Sequence, residues 1–131
     1  MLLKVVPMAA IPLISVVDDD ESVRESLQGL IRSAGFAVRV FASAEEFMDW
    51  DHLRDTACLI LDVRLPGLSG PELQRKLAAD GTEIPVIFMT AHGDDGETRT
   101  QALRDGAVDY LLKPLSAEAV LQAVEVALQS K

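Results

Sequence analysis

Short apolar runs alternate with amphipathic segments along the whole of this 131-residue chain. The runs Leu13–Val17, Ala57–Leu61 and Pro85–Met89 are almost continuously apolar, which is typical of parallel strands covered on both faces. Two more strands are predicted at Ala37–Phe41 and Val108–Leu111. Because a helical pattern follows each strand, the sequence predicts an α/β fold, a doubly wound five-stranded parallel sheet flanked by five helices.

Helical periodicity separates the predicted strands. The first stripe runs from Val23 to Ala34, and the other helices are expected at Ser43–Met48, Pro71–Ala79, Asp94–Asp105 and Ser116–Gln129. The Asp94–Asp105 helix is the weakest, since Ala102 and Leu103 are its only strong apolar anchors. We therefore expect that helix to be loosely held.

Charge and composition exclude several kinds of protein. Acidic residues outnumber basic ones by 21 to 12, which gives a net charge of −9. A chain of that charge is not expected to bind nucleic acid by itself, because phosphate binding needs an excess of Lys and Arg. The single cysteine, Cys58, excludes an internal disulfide and a zinc site built from cysteines.

The N-terminal run is apolar, but Pro7 and Pro12 interrupt it and no small-residue cleavage site follows. It therefore predicts neither a signal peptide nor a membrane span. We expect an N-terminal extension over residues 1–10, one domain over residues 11–131, a cytoplasmic location and no contact with a membrane.

Polar side chains follow four of the predicted strands where each strand ends. They are Asp18 and Asp19, Asp62, Thr90 and Lys113. Ligands of open α/β sheets bind outside the carboxyl ends of the strands, so these side chains are expected to converge there. Carboxylates without His or Cys partners favour Mg²⁺ or Mn²⁺, with a phosphoryl group as co-ligand. Repulsion among the carboxylates further predicts that Asp18→Asn or Asp62→Asn stabilises the metal-free protein.

Four motifs occur in order at these strand ends, and together they resemble the receiver domain of two-component response regulators, which has a flavodoxin-like, CheY-like fold. The matching stretches are Val16–Glu21, Leu61–Gly67 followed by Ser69–Gly70, Met89–His92 and Leu112–Pro114. The resemblance covers nearly the whole chain, from Leu13 to about Gln129.

The resemblance implies a role for each residue of the cluster. Asp62 matches the phosphorylated aspartate, and Lys113 matches the phosphate-binding lysine. Asp18 and Asp19 match the acidic pair that binds Mg²⁺ together with Asp62 and the backbone carbonyl of Arg64.

Two further residues match the switch of that family. Thr90 corresponds to the switch hydroxyl and Tyr110 to the switch aromatic. The Lys113–Pro114 peptide bond matches one that is commonly cis.

The function implied is a phosphoacceptor switch. Asp62 would receive a phosphoryl group from the phosphohistidine of a sensor histidine kinase or a phosphotransfer protein. The fourth helix, fifth strand and fifth helix would then form an activation-dependent homodimer. The stretches Met89–Asp94 and Gly106–Tyr110 look most like FixJ-type receivers, which usually precede a LuxR-type DNA-binding domain. No such domain is recognised in this chain, so transcription regulation, a stand-alone receiver and a phosphorelay intermediate all stay open.

Rival functions fit the residues less well. A haloacid-dehalogenase-type phosphatase would need a second Asp where Arg64 stands, and a nucleotide- or flavin-binding module would not place acidic residues after the first strand. We therefore expect no enzyme beyond a domain that catalyses its own phosphorylation and dephosphorylation. His92 is interpreted as an exposed loop residue that, with Arg64, tunes access to the site, in preference to a phosphate relay or general base.

Overall fold

The structure, a computed structural model, describes residues 11–91 and 96–129. Its strands are β1 (Leu13–Val17), β2 (Ala37–Phe41), β3 (Thr56–Asp62), β4 (Val86–Thr90) and β5 (Asp109–Leu112). Its helices are α1 (Glu21–Ser33), α2 (Ala44–Asp49), α3 (Gly70–Ala79), α4 (Gly96–Arg104) and α5 (Ala117–Gln129). The extension expected over residues 1–10, and His92, lie outside the described residues.

All five strands are parallel and lie in the order β2-β1-β3-β4-β5, which confirms the predicted sheet. Two buried clusters flank the sheet. One joins β1 and β3 to α2 and α3, and the other joins the opposite face to α1 and α5. The three central strands are therefore covered on both sides, as their continuous apolar runs predict.

The beginning of α3 is fixed directly against the strand that carries Asp62. Ser69 and Glu72 form a reciprocal capping box at that end of the helix. A side-chain carbon at Gly70 would collide with the backbone carbonyl of Asp62 and would also press on Phe88. The missing side chain of Gly70 thus allows α3 to pack at the end of β3.

Strand ends differ by one residue from the prediction. β3 and β4 each end one residue later than expected, so Asp62 and Thr90 are the last residues of their strands. Both side chains are therefore oriented by the strand pairing as well as by the loops that follow.

The weak attachment of α4 is confirmed, but one of its two predicted anchors is wrong. Ala102 is the buried residue of the helix, whereas Leu103 is 40% exposed. Successive helical residues point about 100° apart, so the narrow contact with the sheet edge admits only one of them. Gln74 of α3, which is buried, adds a hydrogen bond from Nε2 to the Ala102 carbonyl at 3.2 Å.

No helix within the described residues is long and apolar enough to cross a membrane.

Candidate functional site

Three carboxylates meet at the carboxyl edge of the sheet, as the strand assignments predict. One oxygen from each of Asp18, Asp19 and Asp62 lies within 4.8 Å of the others. Asp18 and Asp62 are buried, while Asp19 is exposed to solvent. Closely spaced carboxylate oxygens are the ligands that Mg²⁺ prefers in proteins, so the side chains fit a divalent cation.

Lys113 is the basic partner of this cluster. Its Nζ donates to Asp18 Oδ2 at 2.7 Å and to Asp62 Oδ2 at 3.4 Å. Its backbone N–H donates to the carbonyl of Thr90 at 2.8 Å, which holds the end of β5 beside the end of β4. The Lys113–Pro114 peptide bond is cis, as expected.

Asp18 is held by backbone and side-chain contacts on several sides. Its Oδ1 accepts from the N–H of Asp20 at 2.8 Å, and its own N–H donates to the carbonyl of Phe41. Arg24 Nη1 donates to the Asp18 carbonyl at 2.7 Å. This contact was not predicted from the sequence. The position of Arg24 one turn into the helix after the acidic loop is the signal that could have found it.

Asp62 is connected to the loop that follows it. The backbone N–H of Arg64 donates to Asp62 Oδ1 at 3.3 Å, and the N–H of Val63 donates to the carbonyl of Met89. Arg64 is exposed, so its side chain borders the site without closing it.

The two predicted switch residues lie on the last two strands. Thr90 is 1% exposed at the end of β4, and Tyr110 is 8% exposed on β5. The Tyr110 ring lies 6.2 Å from that of Phe88, and both belong to the buried cluster that includes Ala102 of α4. Tyr110 thus shares a buried cluster with Ala102, the only buried residue among those described in α4.

Burial raises the pKa of Asp62, and the charge of Asp18 raises it further, although Lys113 opposes both effects. Burial lowers the pKa of Lys113, but its hydrogen bond to Asp18 and the charges of Asp62 and Asp18 outweigh burial and raise it. The ammonium thus stays charged, while an ionised Asp62 costs folding free energy. A cation beside Asp62 would relieve that cost.

Charge repulsion alone predicts that both Asp18→Asn and Asp62→Asn stabilise the metal-free protein. The contacts described above change the expectation for Asp18→Asn. In EDTA at pH 7, Asp62→Asn is expected to raise the melting temperature by about 3–5 °C, or about 1 kcal/mol, because it removes a buried carboxylate with a raised pKa. Asp18→Asn is expected to destabilise the protein by about 2 kcal/mol or more, because it breaks the short contact with Lys113. Thermal melts of the three proteins measure both changes.

The pH dependence checks the reason for the Asp62→Asn gain. The folded pKa of Asp62 is raised, so the cost of its ionised form grows as the pH rises from the ordinary carboxyl pKa through the folded pKa, and it is absent below the ordinary value. The gain from Asp62→Asn should therefore shrink as the melts are repeated at increasingly acidic pH. Equal changes in melting temperature, of the same sign, for Asp62→Asn and Asp18→Asn would contradict this account of the charges.

Comparison with known proteins agrees with this geometry. The family described as "Response regulator receiver domain" matches residues 14–125. Nodulation protein W of Bradyrhizobium diazoefficiens is 47% identical over 115 residues, which are 88% of this chain and 50% of that protein. Response regulator protein TmoT of Ectopseudomonas mendocina is 44% identical over 117 residues, 89% of this chain and 53% of that protein.

Solved structures agree as well. The response regulator StyR is 47% identical with a TM-score of 0.84, over 92% of this chain and 61% of that one. The crystal structure of FixJ-N is 36% identical with a TM-score of 0.82, and the match covers 92% of this chain and 95% of that one. The BeF3-activated DrrB receiver domain is 30% identical with a TM-score of 0.78, and the match covers 91% of this chain and 98% of that one.

The chain spans about half the length of the curated relatives it matches. Its single sheet of five parallel strands flanked by five helices agrees with the receiver fold of FixJ-N. The chain belongs to the response regulator receiver domain family.

Proposed function

We propose that this chain is a phosphoacceptor switch in which Asp62 receives a phosphoryl group from the phosphohistidine of a sensor histidine kinase or phosphotransfer protein. The observation that carries the proposal is the convergence of three carboxylates at one edge of the sheet, with Lys113 Nζ within 3.4 Å of two of them, Asp18 and Asp62. The proposal is tested by phosphorylating the chain with a small-molecule phosphodonor and locating the modified residue by mass spectrometry.

Each group has a separate part in the transfer. A carboxylate oxygen of Asp62 attacks the phosphorus, a P–O bond forms and the P–N bond of the phosphohistidine breaks. The electron pair of that bond stays on the imidazole, which takes up a proton. Lys113 and the hydroxyl of Thr90 bind the transferred oxygens, largely by charge and positioning.

A divalent cation completes this reaction. Asp18, Asp19, Asp62 and the backbone carbonyl of Arg64 are the groups we assign to hold it. When bound, Mg²⁺ (or Mn²⁺) neutralises negative charge on the phosphoryl group and the carboxylates. The same groups would serve hydrolysis, in which water attacks the phosphorus and the Asp62 carboxylate leaves, so we propose that the chain catalyses only its own phosphorylation and dephosphorylation.

An apolar groove beside the site supports docking of the phosphodonor protein. It has a volume of about 510 Å³ and lies between α1 and the segment that follows β5, with Leu27, Leu30, Leu115 and Val120 in its lining. Lys113 lines the groove and also contacts Asp62. A partner helix seated in the groove would thus bring its phosphohistidine beside Asp62.

The response passes through Thr90 and Tyr110. We assign Thr90 to contact the phosphoryl group and Tyr110 to follow its movement. Because Tyr110 and Ala102 share one buried cluster, a change at Tyr110 shifts α4, which has little other buried attachment among its described residues. The phosphoryl group would then bias two conformations of the face formed by α4, β5 and α5.

The output we propose is transcription regulation through a DNA-binding domain. Relatives such as FixJ of Azorhizobium caulinodans are described as transcriptional regulatory proteins, and the chain matches 54% of that one. A stand-alone receiver or a phosphorelay intermediate is the alternative. We also propose a cytoplasmic location, which is consistent with membership of the receiver domain family.

Activation is expected to produce a dimer through the α4-β5-α5 face. That face exposes Leu103 and Leu112, at 40% and 53%, beside the charged residues Arg104 and Asp109. A two-fold contact would bury the leucines and pair the charges reciprocally. With Mg²⁺ and beryllofluoride, sedimentation should shift from monomer toward a weak, salt-sensitive dimer.

Charge reversal locates the contact. Arg104→Glu is expected to abolish the dimer, whereas Arg75→Glu, an equal change on the exposed side of α3, should leave it intact. A protein that stays monomeric at every concentration after proven activation would favour the stand-alone receiver.

A further inference from the structure

One carboxylate outside the acidic cluster reaches the loop that leaves it. Glu45 lies in the first turn of α2, and its Oε2 accepts a hydrogen bond from the backbone N–H of Leu68 at 2.8 Å. The two residues are 23 positions apart in sequence, so the contact ties α2 to the loop between β3 and α3. A hydrogen bond to an ionised acceptor is stronger than one between neutral groups.

The neighbouring residue in the loop makes room for that carboxylate. Gly67 has a φ of +76°, a backbone conformation that residues with side chains rarely adopt. A side-chain carbon built at Gly67 would collide with Glu45 Oε2. The missing side chain at Gly67 and the carboxylate of Glu45 are therefore two parts of one contact.

This contact lies in the middle of the loop. At one end of the loop, Arg64 donates to Asp62 and the Leu65 side chain is buried; at the other end, Ser69 caps α3. Glu45 restrains the stretch between these anchors. That stretch follows the backbone carbonyl of Arg64, which we assigned as a metal ligand.

We propose that Glu45 is a positioning residue for the magnesium site, which it serves by holding the β3–α3 loop through Leu68. The inference rests on the proposed function, because it assumes that Asp62 and the Arg64 carbonyl bind the cation. Glu45 itself touches neither group in the contacts described, so it acts through the loop backbone.

Calorimetric Mg²⁺ titration of Glu45 variants tests the proposal. Glu45→Ala is expected to weaken Mg²⁺ binding about fivefold, because the ligand carbonyl loses its backbone restraint. Glu45→Gln keeps an oxygen that can accept from Leu68 and should restore most of the affinity. Glu46→Ala removes the same charge one residue later, where the carboxylate accepts from Ala42, and should change the affinity less than about twofold.

A second pair of variants leaves Glu45 unchanged. Gly67→Ala should displace the Glu45 carboxylate and weaken Mg²⁺ binding about as much as Glu45→Ala does. Gly81→Ala is the matched control, since Gly81 also has a positive φ, of +72°, but a side chain there would meet no atom within 4 Å. In the double variant Glu45→Ala/Gly67→Ala the two losses should not add, because both remove one contact.

The outcomes separate this inference from the function on which it rests. Wild-type protein that fails to bind Mg²⁺ would contradict the proposed function. A different result would contradict only the role of Glu45. In it, wild-type protein binds Mg²⁺, and Glu45→Ala binds Mg²⁺ as tightly as wild type or at least as tightly as Glu46→Ala. Melting temperatures in EDTA distinguish lost affinity from lost folding, because a merely structural Glu45 would lower the melting temperature without a selective loss of Mg²⁺.

Discussion

Beryllofluoride, a mimic of the phosphoryl group, is expected to bind this chain only in the presence of Mg²⁺ or Mn²⁺. The site contains three carboxylates and one nearby ammonium, so an anion entering it alone meets net negative charge. Without a cation we expect no measurable binding, and with millimolar Mg²⁺ we expect saturable binding. Calorimetry or a melting-temperature shift with and without EDTA measures the difference. Tight binding in EDTA would contradict the assignment of the cluster.

The same measurement tests Lys113. Lys113→Ala is expected to weaken beryllofluoride binding about 100-fold, because it removes the ammonium that contacts Asp18 and Asp62. Lys76→Ala removes an exposed lysine from α3 and should leave binding unchanged. Equal losses in both variants would mean that overall charge, and not the local contact, decides affinity.

The fold was largely predictable because its three central strands are buried on both sides. A strand so covered must be apolar throughout, and this local pattern gave β1, β3 and β4. The ends of all five predicted strands differ from the observed ones by at most one residue. The exposure of Leu103 was not predictable in the same way. Both Ala102 and Leu103 fit a helical stripe, and which one is buried depends on how α4 sits over the edge strand β5.

The membership of the site was also predictable, but its contacts were not. The position of Asp18, Asp62, Thr90 and Lys113 at strand ends follows from topology, since parallel strands place these ends together. The closer approach of Lys113 to Asp18 than to Asp62 does not follow from topology, because it depends on ångström-scale geometry between residues that are distant in sequence. For that reason repulsion alone predicted the same effect for Asp18→Asn and Asp62→Asn.

Contacts from outside the motifs were missed for a related reason. Arg24 and Glu45 form hydrogen bonds with backbone groups of Asp18 and Leu68. The identity of a residue does not indicate whether its backbone group is bound in this way. Charged residues near helix beginnings are also common as simple solvent-exposed groups. Only the folded arrangement distinguishes those that restrain a loop.

The central claim is that Asp62 is the phosphoacceptor, and intact-protein mass spectrometry tests it directly. Wild-type protein treated with Mg²⁺ and a small-molecule phosphodonor should gain the mass of one phosphoryl group in an acid-labile acyl phosphate, and reductive trapping should place it at Asp62. Asp62→Asn should show no such adduct, and wild-type protein in EDTA should show little. Full labelling of Asp62→Asn, or trapping of the group at another residue, would contradict the account.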